Sequence, residues 1–299
     1  MKLGYACINS TLQTTGGITT NRGMRQKTFN EKGLDYVSEL ALQNCRDLVN
    51  IVKWNEEMGI KLFRMSSDIF PWMTFYDFTD LPDYDIIRRK LVVIGELADV
   101  YGQRLTFHPS HFNALGSPNP IVVEKAVKEL NKHGEIMDIM GLSATVYNKI
   151  NIHVGGAYGD KEATLKRWIK SYYLLDDSTQ KRLTIENDDK ANMYSVKELF
   201  DGIFQNIGIP IVFDYYHHKF NTGGLTEEQA LKMASITWPE GIAQCCHYSE
   251  SRRKEKLDES IRPQAHSDII YEKIQTYGLE PDIVIEAKMK EQAIFKRPI

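Results

Sequence analysis

Two periodicities share this chain. Short runs of apolar and β-branched residues, the pattern of buried strands, fall at 2–7, 61–65, 104–107, 149–154, 182–186, 209–214, 242–247 and 282–286. Between them apolar positions recur at steps of three and four. In 34–58, for example, Leu34, Val37, Leu40, Ala41, Leu48, Ile51 and Val52 mark one helical face. The same spacing predicts helices over 84–101, 119–140, 162–174, 195–206, 226–236 and 267–277, the second of these opened by Pro120. Gly59, Gly102, Gly141, Gly208 and Gly278 each fall just behind a predicted helix, where a left-handed cap favours glycine, and a strand follows within a few residues.

Eight β-then-α units without a Pro/Gly/Ser-rich linker predict a parallel sheet with right-handed crossovers, and eight is the number at which such a sheet closes. The expected fold is therefore α/β: a single (β/α)8 TIM barrel spanning 1–299, with its active site at the C-terminal ends of the strands. An open doubly wound sheet is the alternative. Against it, the first β–α loop offers only Gly16-Gly17 and no Gly-x-Gly-x-x-Gly fingerprint.

Composition narrows the functional class. The 299 residues are 42% hydrophobic and 26% charged, enough apolar matter for a large core and too much for a disordered chain. Thirty-seven basic against forty acidic side chains leave a formal charge of −3, so a polyanionic partner needs a local basic patch. No signal-like apolar core follows Met1, and runs such as Leu91 to Ile94 are far short of the ~20 residues of a membrane span. Cys7, Cys45, Cys245 and Cys246 match neither a zinc ribbon nor a disulfide framework. The expectation is a cytoplasmic protein with reduced thiols and no membrane partner.

Candidate chemistry concentrates where the predicted strands end. The third runs into His108, the fourth into His153, the fifth into Glu186, the sixth into Asp214 with His217 three residues on, the seventh into His247 and the eighth into Glu286; His266 follows strand seven. A closed barrel would bring these eight onto one rim. Imidazole with carboxylate suits manganese, zinc or iron better than magnesium or calcium, which prefer all-oxygen shells. Eight donors exceed the needs of one ion, so two or three divalent ions are expected, with Glu186, Asp214 and Glu286 as bridges. A lone histidine at a strand end is more often hydrogen-bonded structure than ligand. The weight lies in His108, His153 and His247, which end three different strands equivalently. Of the pair His217-His218, His217 is favoured by its offset from Asp214. His111 and His133 are left out as ligands, and the mid-helix position of His133 implies a solvated ring. Clustered ions suit phosphodiester hydrolysis, but a sugar isomerase or epimerase uses the same kind of rim, and the constellation alone does not choose.

The loops are more specific. Leu3-Gly4-Tyr5 with Asn9, Thr20-Asn21-Arg22, Phe63-Arg64-Met65-Ser66-Ser67-Asp68-Ile69-Phe70-Pro71, His108-Pro109, Asn151-Ile152-His153-Val154-Gly155-Gly156, Glu186-Asn187-Asp188, Phe213-Asp214 with His217-His218, and Ile285-Glu286-Ala287-Lys288 with Lys290-Glu291 resemble the UV damage endonuclease family. They come in that family's order and span nearly the whole chain. The family is a branch of the metal-dependent barrels that include apurinic endonuclease IV and xylose isomerase.

The resemblance implies a metal-dependent DNA endonuclease that works without ATP. It would nick damaged double-stranded DNA immediately 5′ to cyclobutane pyrimidine dimers and 6-4 photoproducts, leaving a 3′-hydroxyl to start excision repair. The implied cofactor is two or three ions, manganese by analogy with zinc or magnesium as alternatives, held by the same eight residues. Glu186 and Lys288 are the implied catalytic residues, Lys288 beside the scissile phosphate, with Asp68 supporting the cluster. Recognition without a fixed base sequence requires sensing deformability, with bulky side chains entering the stack. His111-Phe112 matches the family's probing pair in position, where other members carry Gln-Tyr, and Tyr5 and Asn9 would line the pocket for the extruded bases. Cys245 departs from members with a lysine there, and its thiol could face the cluster. After strand seven, Arg252-Arg253-Lys254 and Lys256 form the best local phosphate clamp, joined by Arg22, Arg25, Lys288 and Lys290. The protein is expected to act as a monomer.

Overall fold

In the computed structural model, which describes residues 1–296, all eight expected strands form. They are β1 (Leu3–Ala6), β2 (Leu62–Arg64), β3 (Arg104–Thr106), β4 (Ile150–His153), β5 (Leu183–Glu186), β6 (Ile211–Val212), β7 (Cys245–Tyr248) and β8 (Asp282–Ile285). Every paired strand is parallel, so all C-terminal ends share one face. The strands make two sheets, one of five in the order β3-β2-β1-β8-β7 and one of three in the order β4-β5-β6. Single parallel bridges join the sheet edges at Phe107–Ile150 and at Asp214–His247. The first has two backbone bonds of 2.9 Å, Phe107 N–H to the Lys149 carbonyl and Asn151 N–H to the Phe107 carbonyl, and in the second His247 N–H donates to the Phe213 carbonyl at 2.9 Å.

Side chains alternate across the strands and so make two cores. Ala6, Leu62, Val212, Cys245 and Val284 pack together with Val146 and Trp238 on one face. On the other, Phe63, Leu105, Ile152, Ile185, Ile211, Cys246 and Ile283 pack against the helices. The long helix Gln26–Glu57 is interrupted at Gly33, whose φ of +62° only glycine adopts without strain, and its regular part begins at the expected Leu34. At the N-terminal ends of the strands, buried Arg104 ties four segments together. Its guanidinium meets Asp282 Oδ2 at 3.0 Å and donates to the carbonyls of Ala243, Tyr147 and Val146. That end is fastened by structural ion pairing, which leaves the opposite end for chemistry. No helix among the described residues is long and apolar enough to cross a membrane.

Two expectations need correction. The stretch 267–277 is not helical. Its backbone N–H groups are taken by two carboxylates: Glu255 accepts from Asp268 and Ile269, and buried Glu250 accepts from Tyr271 and Glu272. Side-chain acceptors thus replace the carbonyls a helix would have supplied. His133 is not solvated either, for it is fully buried in the helix Pro120–Ile139. Its Nδ1 lies 2.9 Å from the Glu129 carbonyl, and its ring meets Phe107 edge-on at 4.9 Å.

Burial pushes the His133 imidazole down to about 4, the Glu129 carbonyl opposing only in part. Between its ordinary value near 6.5 and about 4 the unfolded chain binds the proton and the folded one does not, so stability falls as pH is lowered through that window. The loss is about 3 kcal/mol. Urea denaturation of the protein and of His133→Leu at pH 7 and pH 4 checks this: the variant is expected to show the smaller acid sensitivity, and parallel pH profiles would refute it.

Candidate metal centre

Glu186 ends β5 at the centre of the C-terminal face, 1% exposed. Its Oε2 lies 3.0 Å from His108 Nε2 and 3.0 Å from His247 Nδ1. Its Oε1 lies 3.4 Å from His217 Nδ1 and 4.0 Å from His153 Nε2. Asp214 follows β6 and caps the short helix Tyr215–His218, its Oδ1 accepting the N–H groups of Tyr216 and His217 at 2.7 Å. The three-residue offset seen in the sequence is therefore a helix cap that turns His217 back toward the carboxylates. Glu286, one residue beyond β8, places Oε1 3.3 Å from His247 Nδ1.

Three clusters of donor atoms result, each with its atoms within 4.8 Å of one another: His108, His153 and Glu186; Glu186, Asp214 and His217; Asp214, His247 and Glu286. Glu186 joins the first to the second and Asp214 the second to the third. Seven of the eight expected ligands are thus brought together. His266 falls outside these clusters, its Nδ1 3.2 Å from the Glu286 carbonyl and 3.8 Å from Glu286 Oε2.

The electrostatics of this set call for a cation. Burial alone would push Glu186 up, but His247, His153 and His108 outweigh it and hold the carboxyl well below the usual range. Burial pushes Asp214 up to about 6; Glu186 and Glu286 add to the rise and His217 opposes it. Its Oδ2 is buried with no hydrogen-bond partner, as is His247 Nδ1, which faces two carboxylates without hydrogen-bond geometry. Orphaned buried donor atoms of this kind, three carboxylates among imidazoles, fit divalent ions.

The imidazoles are oriented from behind. His108 Nδ1 lies 3.1 Å from the Pro109 carbonyl, His217 Nδ1 2.9 Å from the Asn187 carbonyl and His153 Nδ1 3.1 Å from Asp188 Oδ1. For His108 and His153 the contact leaves Nε2 toward Glu186, the usual outer arrangement of metal-site histidines, whereas His217 turns the same Nδ1 toward Glu186 Oε1. His247 is reversed, with Nε2 3.3 Å from the Nζ of buried Lys149 and Nδ1 toward the carboxylates. Asn151 donates to Glu186 Oε2, Thr184 fixes Asn151 at 2.9 Å, Asn187 clasps the Asp214 backbone through both amide atoms, and Arg64 is paired with Glu286. Roles for Lys149, Asn151, Arg64, Asn187 and Asp188 were not foreseen. The signal was available in period two: Lys149 and Asn151 lie four and two residues before His153, and Arg64 lies two after inward-facing Leu62.

Other expected site residues sit differently. Cys245, two residues before His247, is buried among Leu62, Val212 and Val284 and belongs to none of the three donor clusters. Tyr5 and Asn9 do not line an open pocket. Both are fully buried, with Asn9 Nδ2 on Tyr5 Oη at 2.9 Å, Tyr5 Oη on Asn55 at 2.8 Å and Asn9 Oδ1 capping the helix Ser10–Gly16. Three of the four clamp arginines are committed to ion pairs, Arg22 with Asp47 at 2.7 Å, Arg252 with Asp268 at 2.8 Å and Arg253 with Glu259 at 2.8 Å, while Arg25 is exposed. Lys288 is exposed two residues past Glu286, and Asp68 is exposed in the loop after β2, though partial desolvation raises its carboxyl. His111 and Phe112 project from the loop after β3, rings 4.2 Å apart, with Phe112 73% exposed.

Comparison with known proteins accords with this geometry. The UV-endonuclease UvdE family matches residues 1–297. A UV-damage endonuclease of Schizosaccharomyces pombe is 36% identical over 99% of the chain, which spans only 50% of that protein. A putative UV-damage endonuclease of Acanthamoeba polyphaga mimivirus is 33% identical over 99% of the chain and 90% of its own length. The crystal structure of SacUVDE superposes with a TM-score of 0.84 at 29% identity, covering 98% of this chain and 95% of that one. Endonuclease IV of Thermus thermophilus, at 13% identity and a TM-score of 0.53 over 80% of this chain and 87% of its own, shares the fold alone. With the family matched from end to end and its fold reproduced, the chain belongs to the UV-endonuclease UvdE family.

Proposed function

We propose that this protein is a metal-dependent endonuclease that nicks duplex DNA immediately 5′ of ultraviolet photoproducts, cyclobutane dimers and 6-4 products among them. The observation that carries the reading is the run of donor clusters sharing Glu186 and Asp214, set on the same face as an exposed aromatic pair. The two sheets, bridged at both edges, act as one closed eight-stranded barrel and one domain, and the protein works as a monomer. His108, His153, Glu186, Asp214, His217, His247 and Glu286 hold two or three divalent ions, manganese foremost, with His266 at the edge. Such ions neutralise a phosphodiester and activate water in line with the leaving oxygen.

The chain's own residues do the rest. Asp188 and the backbone carbonyls of Pro109 and Asn187 aim three imidazoles, and Lys149 sets the fourth. Lys288 stands exposed beyond Glu286, placed to meet the phosphate strand. With Arg22, Arg252 and Arg253 already paired, the DNA backbone must compete with Asp47, Asp268 and Glu259 for them, and phosphate contacts make binding fall steeply with salt. The exposed His111-Phe112 pair favours a bulky duplex over the closed polyol pocket an isomerase would need.

Incubating the protein and Mn²⁺ with an end-labelled duplex bearing one cyclobutane dimer, beside its undamaged counterpart, tests the proposal. A nick directly 5′ of the dimer is expected, with the undamaged duplex left intact. Equal cutting of both, or of neither, would overturn it. Phe112→Ala is expected to lower discrimination between the two duplexes by about five- to 150-fold, the scale of ~1–3 kcal/mol for a stacking side chain. Unchanged discrimination would remove Phe112 from the recognition step.

A further inference from the structure

The loop after β7 carries the most exposed large apolar side chain among the described residues, Leu257, 93% open to solvent. It follows the short helix Arg252–Lys256 and holds a left-handed backbone, φ +52°. Glycine or asparagine is the ordinary residue for such a helix stop, and a leucine there is strained. A lone exposed leucine needs no explanation, but a strained one at a loop tip asks for a use. The tip is also fixed. Asp258 N–H donates to the Arg253 carbonyl at 3.1 Å and Arg253 Nε to the Ile261 carbonyl at 2.7 Å, while Glu255 accepts the N–H groups of Asp268 and Ile269. An antiparallel bridge between Ser251 and His266 anchors the base of the loop beside Glu286. A side chain on so fixed a mount needs little further ordering when it binds.

The surroundings of Leu257 point to the kind of partner. Lys254 and Arg262 in the same loop are exposed, with no ion pair among the described residues. Lys254 also lines a cleft of about 320 Å³ with Lys219 and Arg253, set against Glu259 and Glu272. A protein-docking patch would gather apolar neighbours around the leucine, yet Lys256, Asp258, Glu259 and Ser260 beside it are all polar and exposed. An apolar tip between cations instead suits duplex DNA, where leucine is among the side chains that wedge between base steps while Lys and Arg meet the flanking phosphates. The place in the fold agrees. β3 and β7 are the two edge strands of the five-stranded sheet, four strand spacings of ~4.8 Å apart along it. The donor clusters draw on both edges, through His108 and His247. The loops that carry Phe112 and Leu257 therefore flank the metal centre on two sides.

We propose that Leu257 is a second, independent wedge, which opens a base step of the duplex away from the lesion and so bends the DNA across the metal centre. The inference rests on the DNA reading above and adds a specificity-determining residue on the side opposite Phe112. Leu257→Gly and Leu257→Met, each combined with Glu186→Gln to prevent cutting, would be titrated with the dimer duplex and with undamaged duplex. A set of dimer duplexes carrying 2-aminopurine at successive positions would report, at saturating protein, which steps are unstacked. The glycine variant is expected to bind the dimer duplex about tenfold more weakly or worse, the scale of burying one leucine side chain, while undamaged duplex moves less than about twofold because an intact stack resists the bend. One unstacked step distinct from the dimer should vanish with glycine and persist with methionine, which keeps the apolar bulk. Glycine also removes the backbone strain, so its melting temperature should equal or exceed the parent's, a change opposite in sign to the loss of binding. Dimer binding and 2-aminopurine signals unchanged by Leu257→Gly, or equal losses on both duplexes, would overturn the inference while leaving the DNA reading in place. A Glu186→Gln parent with no preference for the dimer duplex would overturn the DNA reading and this inference with it.

Discussion

Glu186→Gln is expected to lower incision at a dimer by about a thousandfold or more while leaving the fold intact. Each carboxylate oxygen of Glu186 faces two imidazoles, and the residue belongs to two of the three donor clusters. An amide keeps the shape, removes the charge and turns an N–H₂ group toward the position of a cation. Divalent ions supply several kcal/mol of charge stabilisation in phosphoryl chemistry, and ~4 kcal/mol of it corresponds to about three orders of magnitude in rate. Steady-state incision kinetics with near-ultraviolet circular dichroism check the prediction together. A folded variant within about tenfold of the parent would show that Glu186 is structural.

Metal removal should act on stability as well as rate. Exhaustive chelation is expected to abolish incision, and returning Mn²⁺ at a hundred times its Kd should restore it and stabilise the protein by about 2.7 kcal/mol, several degrees in Tm. The physical source is the crowding of Glu186, Asp214 and Glu286: Arg64 pairs with Glu286 and the imidazoles stabilise Glu186, yet Asp214 stays raised beside the other two carboxylates. Affinity should depend on pH in a definite direction. Asp214, pushed up to about 6 by burial and by its carboxylate neighbours, must be ionised to ligate, and His153, raised to about 10 despite burial by Glu186 and Asp188, must release a proton. Metal binding therefore strengthens as pH rises and weakens most sharply below about 6. Calorimetric titration at pH 5.5 and 7.5 measures this directly, and equal affinities would contradict the assignment of Asp214.

The sequence revealed some features and hid others for physical reasons. Strand ends were legible because a parallel α/β architecture puts chemistry at the same end of every strand, so His108, His153, Glu186, Asp214 and His247 could be read from position alone. The groups behind them, Lys149, Asn151 and Arg64, were hidden because a buried cation or amide in a strand resembles a boundary residue until its inward phase is known. Glu250 and Glu255 misled the reading of 267–277. That stretch has helical apolar spacing, yet two distant carboxylates capture its N–H groups, a tertiary effect that periodicity cannot register. His133 failed similarly, because its solvation depended on which helix face met Phe107. Net charge hid the pairing of Arg22, Arg252 and Arg253, and only the fold shows which acids sit beside them.

The most direct test of the central claim is to titrate Mn²⁺ into metal-free protein and follow the rate of cutting on a duplex with a single cyclobutane dimer. The account predicts no cutting without metal, a rate that rises and saturates at two or three equivalents per chain, and a product ending immediately 5′ of the dimer. Cutting by the metal-free protein, or none with any divalent ion while the protein is folded and metal-loaded, would contradict it.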